Sequence, residues 1–442
     1  MDPQVIKTLA IVIFAATYVM LMIFSKIRPY IALSSALLFV LIGAIPIGGI
    51  FSAVDWNVIM MIAGTMGIVY FFIESKMPAL LADLIIEKTP NVKWAIISMS
   101  LFAGIISAFV DNVATVLMVA PVALTISKKL KISPVSSIIS IAIASNLQGA
   151  ATLVGDTTSI LLGAHAQLDF LDFFFMQGRI GLFWVVQAGA ITATLVLMYV
   201  FKKDVQPIDI KDRTKITDYF PTYLLSGTIV LLILASFIPT LPSNPADRIA
   251  GALYKPNETN GYICMAIFLI GIIRELIVKK DFKSIKPAIM EIDFFTILLL
   301  AGLFIIIGGI EHVGFIDDIS SLFLKISDNP FVLYTIIVWF SVIISAFIDN
   351  IPYVATMLPV VGTLSAQLGG GSISYLLSFG LLVGATLGGN LTPIGASANI
   401  TGLGILRKAG YEVSPKTFMK ISVPFTLVAV FTGYILVWFI WK

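Results

Sequence analysis

The sequence predicts an all-α polytopic membrane protein built from two inverted-topology repeats. Each repeat is expected to have five crossings, one re-entrant helical hairpin and one broken helix. Three observations lead there. The 442 residues are 58% hydrophobic and only 12% charged, about half the charge of an ordinary soluble domain. The apolar runs are mostly about 20 residues long, the length that crosses a hydrocarbon core. And one motif occurs twice, as Ser107-Ala-Phe-Val-Asp111-Asn112 and Ser345-Ala-Phe-Ile-Asp349-Asn350, each in the middle of an apolar stretch. A carboxylate at bilayer depth costs about 2.5–3.5 kcal/mol on insertion scales, so it points to function.

Taken in order, the first repeat (1–201) opens with spans at Val5–Ser25, Tyr30–Ile50 and Trp56–Ile73, the first long enough to be retained rather than cleaved. Pro78–Glu87 reads as an amphipathic interfacial piece. A hairpin at 92–127 carries Asp111-Asn112 at its tip. A run at 135–167 is interrupted at Asn146–Asp156, and Arg179–Phe201 completes the repeat. A charged connector, 202–220, separates the halves. The second repeat (221–442) follows the same order: spans at Pro221–Ile238, Gly261–Val278 and Asp293–Ile310, an amphipathic stretch at Ile316–Ile326, a hairpin at 331–368, a broken helix at 372–406 and a last span at Phe418–Trp441. In all, hydropathy yields ten full spans.

The halves align by constant offsets. A shift of 238 places Asp55 on Asp293, Gly64 on Gly302, Asp111 on Asp349 and Pro121 on Pro359; a shift of 240 places Gly149 on Gly389, Thr152 on Thr392 and Gly155 on Gly395. Charge supports the topology. Of 28 Lys and Arg, only Lys7, Arg179, Arg248, Lys255, Lys325 and Lys442 fall on one side, and the rest on the other. The positive-inside rule then puts both termini outside and the connector in the cytoplasm of a cell inner membrane. An odd number of crossings per half inverts the second half, so the two tips approach the midplane from opposite faces.

Backbone that leaves the helix at membrane depth must line a cavity or be buried in protein. Gly149, Gly155, Gly388, Gly389, Pro393 and Gly395 are the residues that unwind the broken runs. The candidate ion and substrate ligands are therefore Asp111, Asn112, Asp349 and Asn350 at the tips, the first four to hold Na⁺ if any do. Thr152, Gly155, Asp156, Thr157, Ser159, Asn390, Thr392, Gly395, Ser397 and Asn399 in the broken segments complete the set. Asp156 has no acidic counterpart at Ala396, and is the candidate for a group that changes protonation during a cycle. The competing reading of Asp-Asn is plain N-capping of the second hairpin helix. It explains Asn better than Asp, because a neutral residue caps without carrying charge into lipid. Gly64, Gly67 and Gly308 read as close-packing positions, and Asp55 and Asp293 as helix N-termini.

Other classes fit poorly. The single cysteine excludes an internal disulfide and a cysteine-cluster metal site. With two histidines there is no His-Glu-x-x-His pattern; nucleophile-elbow and phosphate-loop motifs are missing too. A channel does not require symmetric broken helices. The expectation is a secondary active transporter, not an enzyme, with no cofactor beyond a coupling H⁺ or Na⁺ and no nucleic-acid partner.

At these residues the chain resembles a known family. Ser345-Ala-Phe-Ile-Asp349-Asn350-Ile-Pro-Tyr, with Gly388-Gly-Asn390-Leu-Thr-Pro-Ile-Gly395-Ala-Ser-Ala-Asn399, is similar to the second-half signature of the ion transporter superfamily. The nearest branch holds arsenite efflux carriers, NhaD-type sodium/proton antiporters and the P protein, with a citrate-transporter-like domain. Ser107–Asn112 and Gly149-Ala-Ala-Thr-Leu-Val-Gly155-Asp156 are similar to its first-half signature. The resemblance implies scaffold and transport domains, elevator-like alternating access, a homodimer, and ion and substrate bound at the tips and breaks. Citrate and dicarboxylate relatives tend to show Ser-Asn-Thr at the tips, where this chain has Asp-Asn-Val and Asp-Asn-Ile. The expected cargo is therefore a small cation, in Na⁺/H⁺-type antiport, or a neutral arsenite-like oxyanion; citrate or dicarboxylate uptake is the alternative.

Overall fold

The computed structural model describes residues 2–130, 132–208, 213–216, 218–241 and 254–442. Arg248 and most of the 241–260 loop therefore lie outside the described residues.

The first half runs α1 (Pro3–Ile23), α2 (Arg28–Leu41), the one-turn α3 (Ile50–Ala53), α4 (Trp56–Glu74), α5 (Met77–Glu87), α6 (Val92–Ser107), α7 (Asn112–Leu130), α8 (Val135–Gly149), α9 (Thr157–His165) and α10 (Leu182–Val200). The second half runs α11 (Phe220–Ala235), α12 (Thr259–Lys279), the short α13 (Lys286–Met290), α14 (Phe294–His312), α15 (Phe315–Ile326), α16 (Pro330–Ser345), α17 (Asn350–Gln367), α18 (Ser372–Gly388), α19 (Ser397–Lys408) and α20 (Pro415–Trp441). Among the described residues, one short hairpin of two-residue strands, β1 (Phe175–Met176) with β2 (Arg179–Ile180), departs from the helical plan.

Local signals set these boundaries. Asp55 Oδ1 accepts from Val58 N at 3.1 Å to start α4, and Asp293 Oδ1 accepts from Thr296 N at 3.0 Å to start α14. Asn329 caps α16, with Pro330 at its first position. Gly43, at φ +78°, and Pro46 stop α2 although the apolar run continues to Ile50.

Seven helices are by themselves long and apolar enough to cross a membrane, among the described residues. The ten spans read from hydropathy are thus shared differently. Tyr30–Ile50 becomes the 14-residue α2 followed by turns, Pro221–Ile238 becomes the 16-residue α11, and 135–167 divides into α8 and α9. The expected hairpins are the α6–α7 and α16–α17 pairs, and α15 meets α16 at 117°.

The packing crosses between the halves. Helix α2 of the first half lies along α14 of the second, and α12 of the second along α4 of the first. Glycines make both seams. A Cβ on Gly302 would meet the Ala32 backbone at 2.7 Å, and one on Gly64 the Cys264 carbonyl carbon at 2.5 Å. Further along, Gly309 receives the Phe39 ring, whereas in the other seam Gly271 receives Phe71: the same knob and hole with the partners exchanged. Helices α10 and α20 pack on each other, and Thr192 and Thr432 share a hydrogen bond of 2.9 Å there. The broken helices are fastened to each other as well. Asn146 Nδ2 donates to Thr386 O at 2.7 Å, and Asn390 Nδ2 to Ile143 O at 2.8 Å.

Part of the connector is fixed to α5. Arg213 forms a two-pronged pair with Glu87 at 2.8 and 2.9 Å, and Thr214 donates to Asp83 through both N–H and hydroxyl.

Candidate functional site

Each hairpin ends against a break. In the first half Thr152 Oγ1 donates to Ala108 O, and in the second Thr392 Oγ1 donates to Ala346 O. Gly155 sits so that a Cβ would lie 2.6 Å from Gly149 O and 2.9 Å from both Ser107 O and Ala108 O. Gly395 repeats this with Gly389 O, Ser345 O and Ala346 O at 2.6, 2.8 and 2.9 Å. Only glycine brings the two backbones this close. The result is a rigid joint: the first hairpin helix ends on the turn that follows the first half of the broken helix.

The joints aim four helix N-termini, those of α7, α9, α17 and α19, at one region. Asp111 Oδ1 accepts from Val113 N and Ala114 N at 2.9 and 3.1 Å. Asp349 Oδ1 accepts from Ile351 N at 3.2 Å, and Asp156 Oδ1 from Thr157 N at 2.9 Å. The capping reading therefore holds for one oxygen of each carboxylate. Their second oxygens differ. That of Asp156 accepts from the Thr158 hydroxyl at 2.8 Å and is approached by Asn350 Nδ2 at 3.4 Å, across the halves. That of Asp349 pairs with Arg28 Nη1 at 2.9 Å. Asp111 has no ion pair among the described residues and lines a cavity.

That cavity, of about 630 Å³, is bounded by the C-terminal half of α4, the starts of α7, α9 and α17, and the N-terminus of α14. Among the described residues its walls carry five carboxylates, Glu74, Asp111, Asp156, Glu291 and Asp293, and no Lys, Arg or His. Ser397 marks the start of α19, whose cap position is Ala396 and offers no side-chain oxygen. Another cavity of about 620 Å³ opens at the opposite, N-terminal end of α4, around Asp55 and Lys255, and contains none of the tip residues. Among the described residues no three His, Cys, Asp or Glu side chains converge tightly enough to chelate a metal.

Of the residues singled out from sequence, Asp111, Asn112, Asp156, Thr157, Asn350 and Ser397 line the cavity together. Asp349 does not; it is turned to Arg28. The others brace the joint. Ser159 Oγ donates to Gly149 O at 3.1 Å, and Asn399 Nδ2 to Gly389 O and Thr392 O at 3.1 and 3.3 Å; Thr152, Gly155, Thr392, Gly395 and Asn390 act as already described. Asn390 Oδ1 and Asn399 Oδ1 are buried without a partner. Sequence reasoning passed over Glu291, counted Arg28 only as a cytoplasmic-side charge, read Glu74 as a solvated span end rather than a proton relay, and took Asp293 for a cap alone. Their signal was weak, because each sits at a helix end where charge is ordinary.

Comparison with known proteins agrees with this architecture. An uncharacterized transporter of Mycobacterium tuberculosis, Rv2684, is 30% identical over 446 residues, covering 98% of each chain. The human P protein is 26% identical over 87% of this chain and 54% of its own length. Among solved structures, the Alcanivorax borkumensis YdaH transporter superposes with a TM-score of 0.57 at 14% identity, covering 91% of this chain and 87% of that one. Neisseria gonorrhoeae MtrF, described as illuminating a class of antimetabolite efflux pumps, gives 0.52 at 17% identity, covering 86% and 80%. At these identities the two structures speak to the fold. A citrate transporter family model, CitMHS, matches residues 18–380. The chain therefore belongs to the citrate transporter family of membrane transporters.

Proposed function

We propose that this chain is an ion-gradient-coupled secondary transporter of a cell inner membrane that carries a small cation, in Na⁺/H⁺-type antiport, or a neutral arsenite-like oxyanion. One observation carries this reading: the cavity lined by residues of both halves is walled by carboxylates with, among the described residues, no basic side chain. Such a wall attracts cations, tolerates neutral solutes and repels polyanions. Asp111 and Asp156, with Asn112, Thr157, Asn350 and Ser397, are the proposed ligands for H⁺ or Na⁺ and cargo. The two repeats are inverted in this proposal, and the cavity opens to each side in turn. The termini lie outside and the connector in the cytoplasm, and a homodimer is the proposed assembly.

A second reading is favoured by a specific feature. The family match is to citrate transporters, and α19 presents an N-terminus without a carboxylate cap beside the cavity. Citrate carried as a cation complex would meet both demands, the anion at the helix end and the metal at the acids. Reconstituted protein in liposomes separates the readings. Uptake of Na⁺, arsenite and citrate, the last with and without a divalent cation, is followed under imposed Na⁺ or pH gradients. Cation or arsenite flux that follows the gradient supports the first reading; citrate flux that requires the divalent cation supports the second. Flux indifferent to every gradient rejects coupled transport.

A further inference from the structure

The tips of the two hairpins are built alike but are electrically unlike. Asp349 is held by Arg28 at 2.9 Å, with both side chains largely buried, 14% and 12% exposed. Arg28 is itself anchored, since its Nε donates to Leu21 O at 3.0 Å. Nothing comparable meets Asp111 among the described residues. The two seams carry unlike groups at their matching ends. Gly302 rests on Ala32 and Gly309 on Phe39, so α2 and α14 run parallel. Arg28, one turn before Ala32, therefore stands near the N-terminal end of α14, the end whose Glu291 and Asp293 wall the cavity. In the other seam Gly64 rests on Cys264 and Gly271 on Phe71, which places Asn260 at the position matching Arg28. The second half thus offers a neutral amide, in the cavity at the N-terminal end of α4, where the first half offers a fixed positive charge.

We propose that Arg28 is a resident cation that takes the place of a transported ion at Asp349 in this conformation. When the α16–α17 tip stands at this end of α14, the guanidinium occupies its carboxylate, and of the tip and break carboxylates Asp111 and Asp156 remain open to a solute cation. A guanidinium suits this task because it stays charged at all relevant pH and pairs with a carboxylate in a fixed geometry. It is borne by α2, whose main packing partner is α14 rather than the hairpin, so displacement of the hairpin along α14 separates the pair and frees Asp349. Arg28 then acts as a tethered competitor that empties the second tip on one side of the cycle. This inference rests on the cation reading of the cavity.

The test uses the full chain in lipid nanodiscs, with thermal unfolding followed as NaCl replaces choline chloride at constant ionic strength, and repeated across pH. Arg28→Gln and Arg28→Met both remove the charge; Met also keeps an aliphatic stem, so that at least one gives folded protein. Without its partner the buried Asp349 has only a free cation to neutralise it. Each variant is expected to gain a Na⁺ dependence of its unfolding midpoint, or to tighten an existing one about tenfold, and Arg28→Lys is expected to stay with the wild type. A merely structural ion pair lowers the midpoint of the variants equally at every Na⁺ concentration, with only the pH dependence of an unpaired buried carboxylate, and that result overturns the inference. A wild type that responds beside variants that match it within about twofold overturns the inference alone. No response to Na⁺ or pH in wild type or variants rejects the cation reading and the inference with it.

Discussion

Replacing Gly155 or Gly395 by alanine tests the joint between hairpin and broken helix. A Cβ at Gly155 would lie 2.6, 2.9 and 2.9 Å from three carbonyl oxygens, and one at Gly395 2.6, 2.8 and 2.9 Å from their counterparts. Ordinary carbon–oxygen contacts begin near ~3.3 Å, so each oxygen has to retreat by roughly 0.4–0.7 Å. All six are backbone atoms, and no side-chain rotation relieves the clash. Overpacking of this kind costs about 1–3 kcal/mol, and the triple contact places these two at the upper end. Unfolding entropy scales with chain length, so a chain this long loses roughly 1 °C of Tm per kcal/mol. Each variant is expected to unfold about 3 °C lower. The functional effect is expected to be larger, because the joint sets where Asp111 lies relative to Asp156. A displacement of ~1 Å in a positioned site costs about 100-fold in rate, to be read as gradient-driven flux in liposomes. Gly404→Ala is the control: it lies within α19 with open space around it, and is expected to hold or raise Tm through helix propensity worth about 1 kcal/mol. Wild-type Tm and flux in Gly155→Ala and Gly395→Ala would refute the rigid joint.

Asp111→Asn keeps a competent N-cap on α7 but removes the charge, so folding is expected to persist while cation-coupled flux is lost; undiminished coupled flux would reduce Asp111 to a cap. Asp156→Asn tests the cross-half contact with Asn350, and is expected to abolish the dependence of flux on the ion gradient while Thr158 and Thr157 still hold the segment. Neutralising Glu74 and Glu291 together, as Gln, is expected to weaken apparent cation affinity by about threefold in dilute buffer, and the difference should fade as salt shortens the Debye length below ~5 Å. Gly64→Ala forces α4 away from the Cys264 backbone and is expected to cost about 3 kcal/mol, seen as a lower midpoint in thermal unfolding.

Much of this arrangement was legible in the residues because membranes penalise irregular backbone. A polar pair or a glycine run inside an apolar stretch has few explanations, and α6–α7, α8–α9 and their counterparts end within a few residues of the expected breaks. Gly64 and Gly67 are the close-packing positions that their spacing implied, set against Cys264 and Phe268. What the sequence concealed was partnership. Asp111 and Asp349 occupy matching places in matching motifs, and nothing local separates them; the difference arises from Arg28, 321 positions away from Asp349. Asn390, Asn399, Thr152 and Thr392 look like ligands for the same reason that they serve as braces. An amide or hydroxyl that can bind an ion can equally satisfy the carbonyls a broken helix leaves unpaired. Helix length was also obscured, since hydropathy runs through the turn at Gly43 where backbone geometry stops α2.

The exchange of α2 and α12 between the halves reaches beyond packing. A chain cut at the connector would yield two fragments, each lacking the helix that fills the grooves along its own α4 or α14. Neither fragment could close alone, and the two synthesised together could recover the native arrangement only by clasping one another. Interleaving of this kind ties assembly of the early part to arrival of the late part, so the membrane receives a working unit only once translation has passed α14.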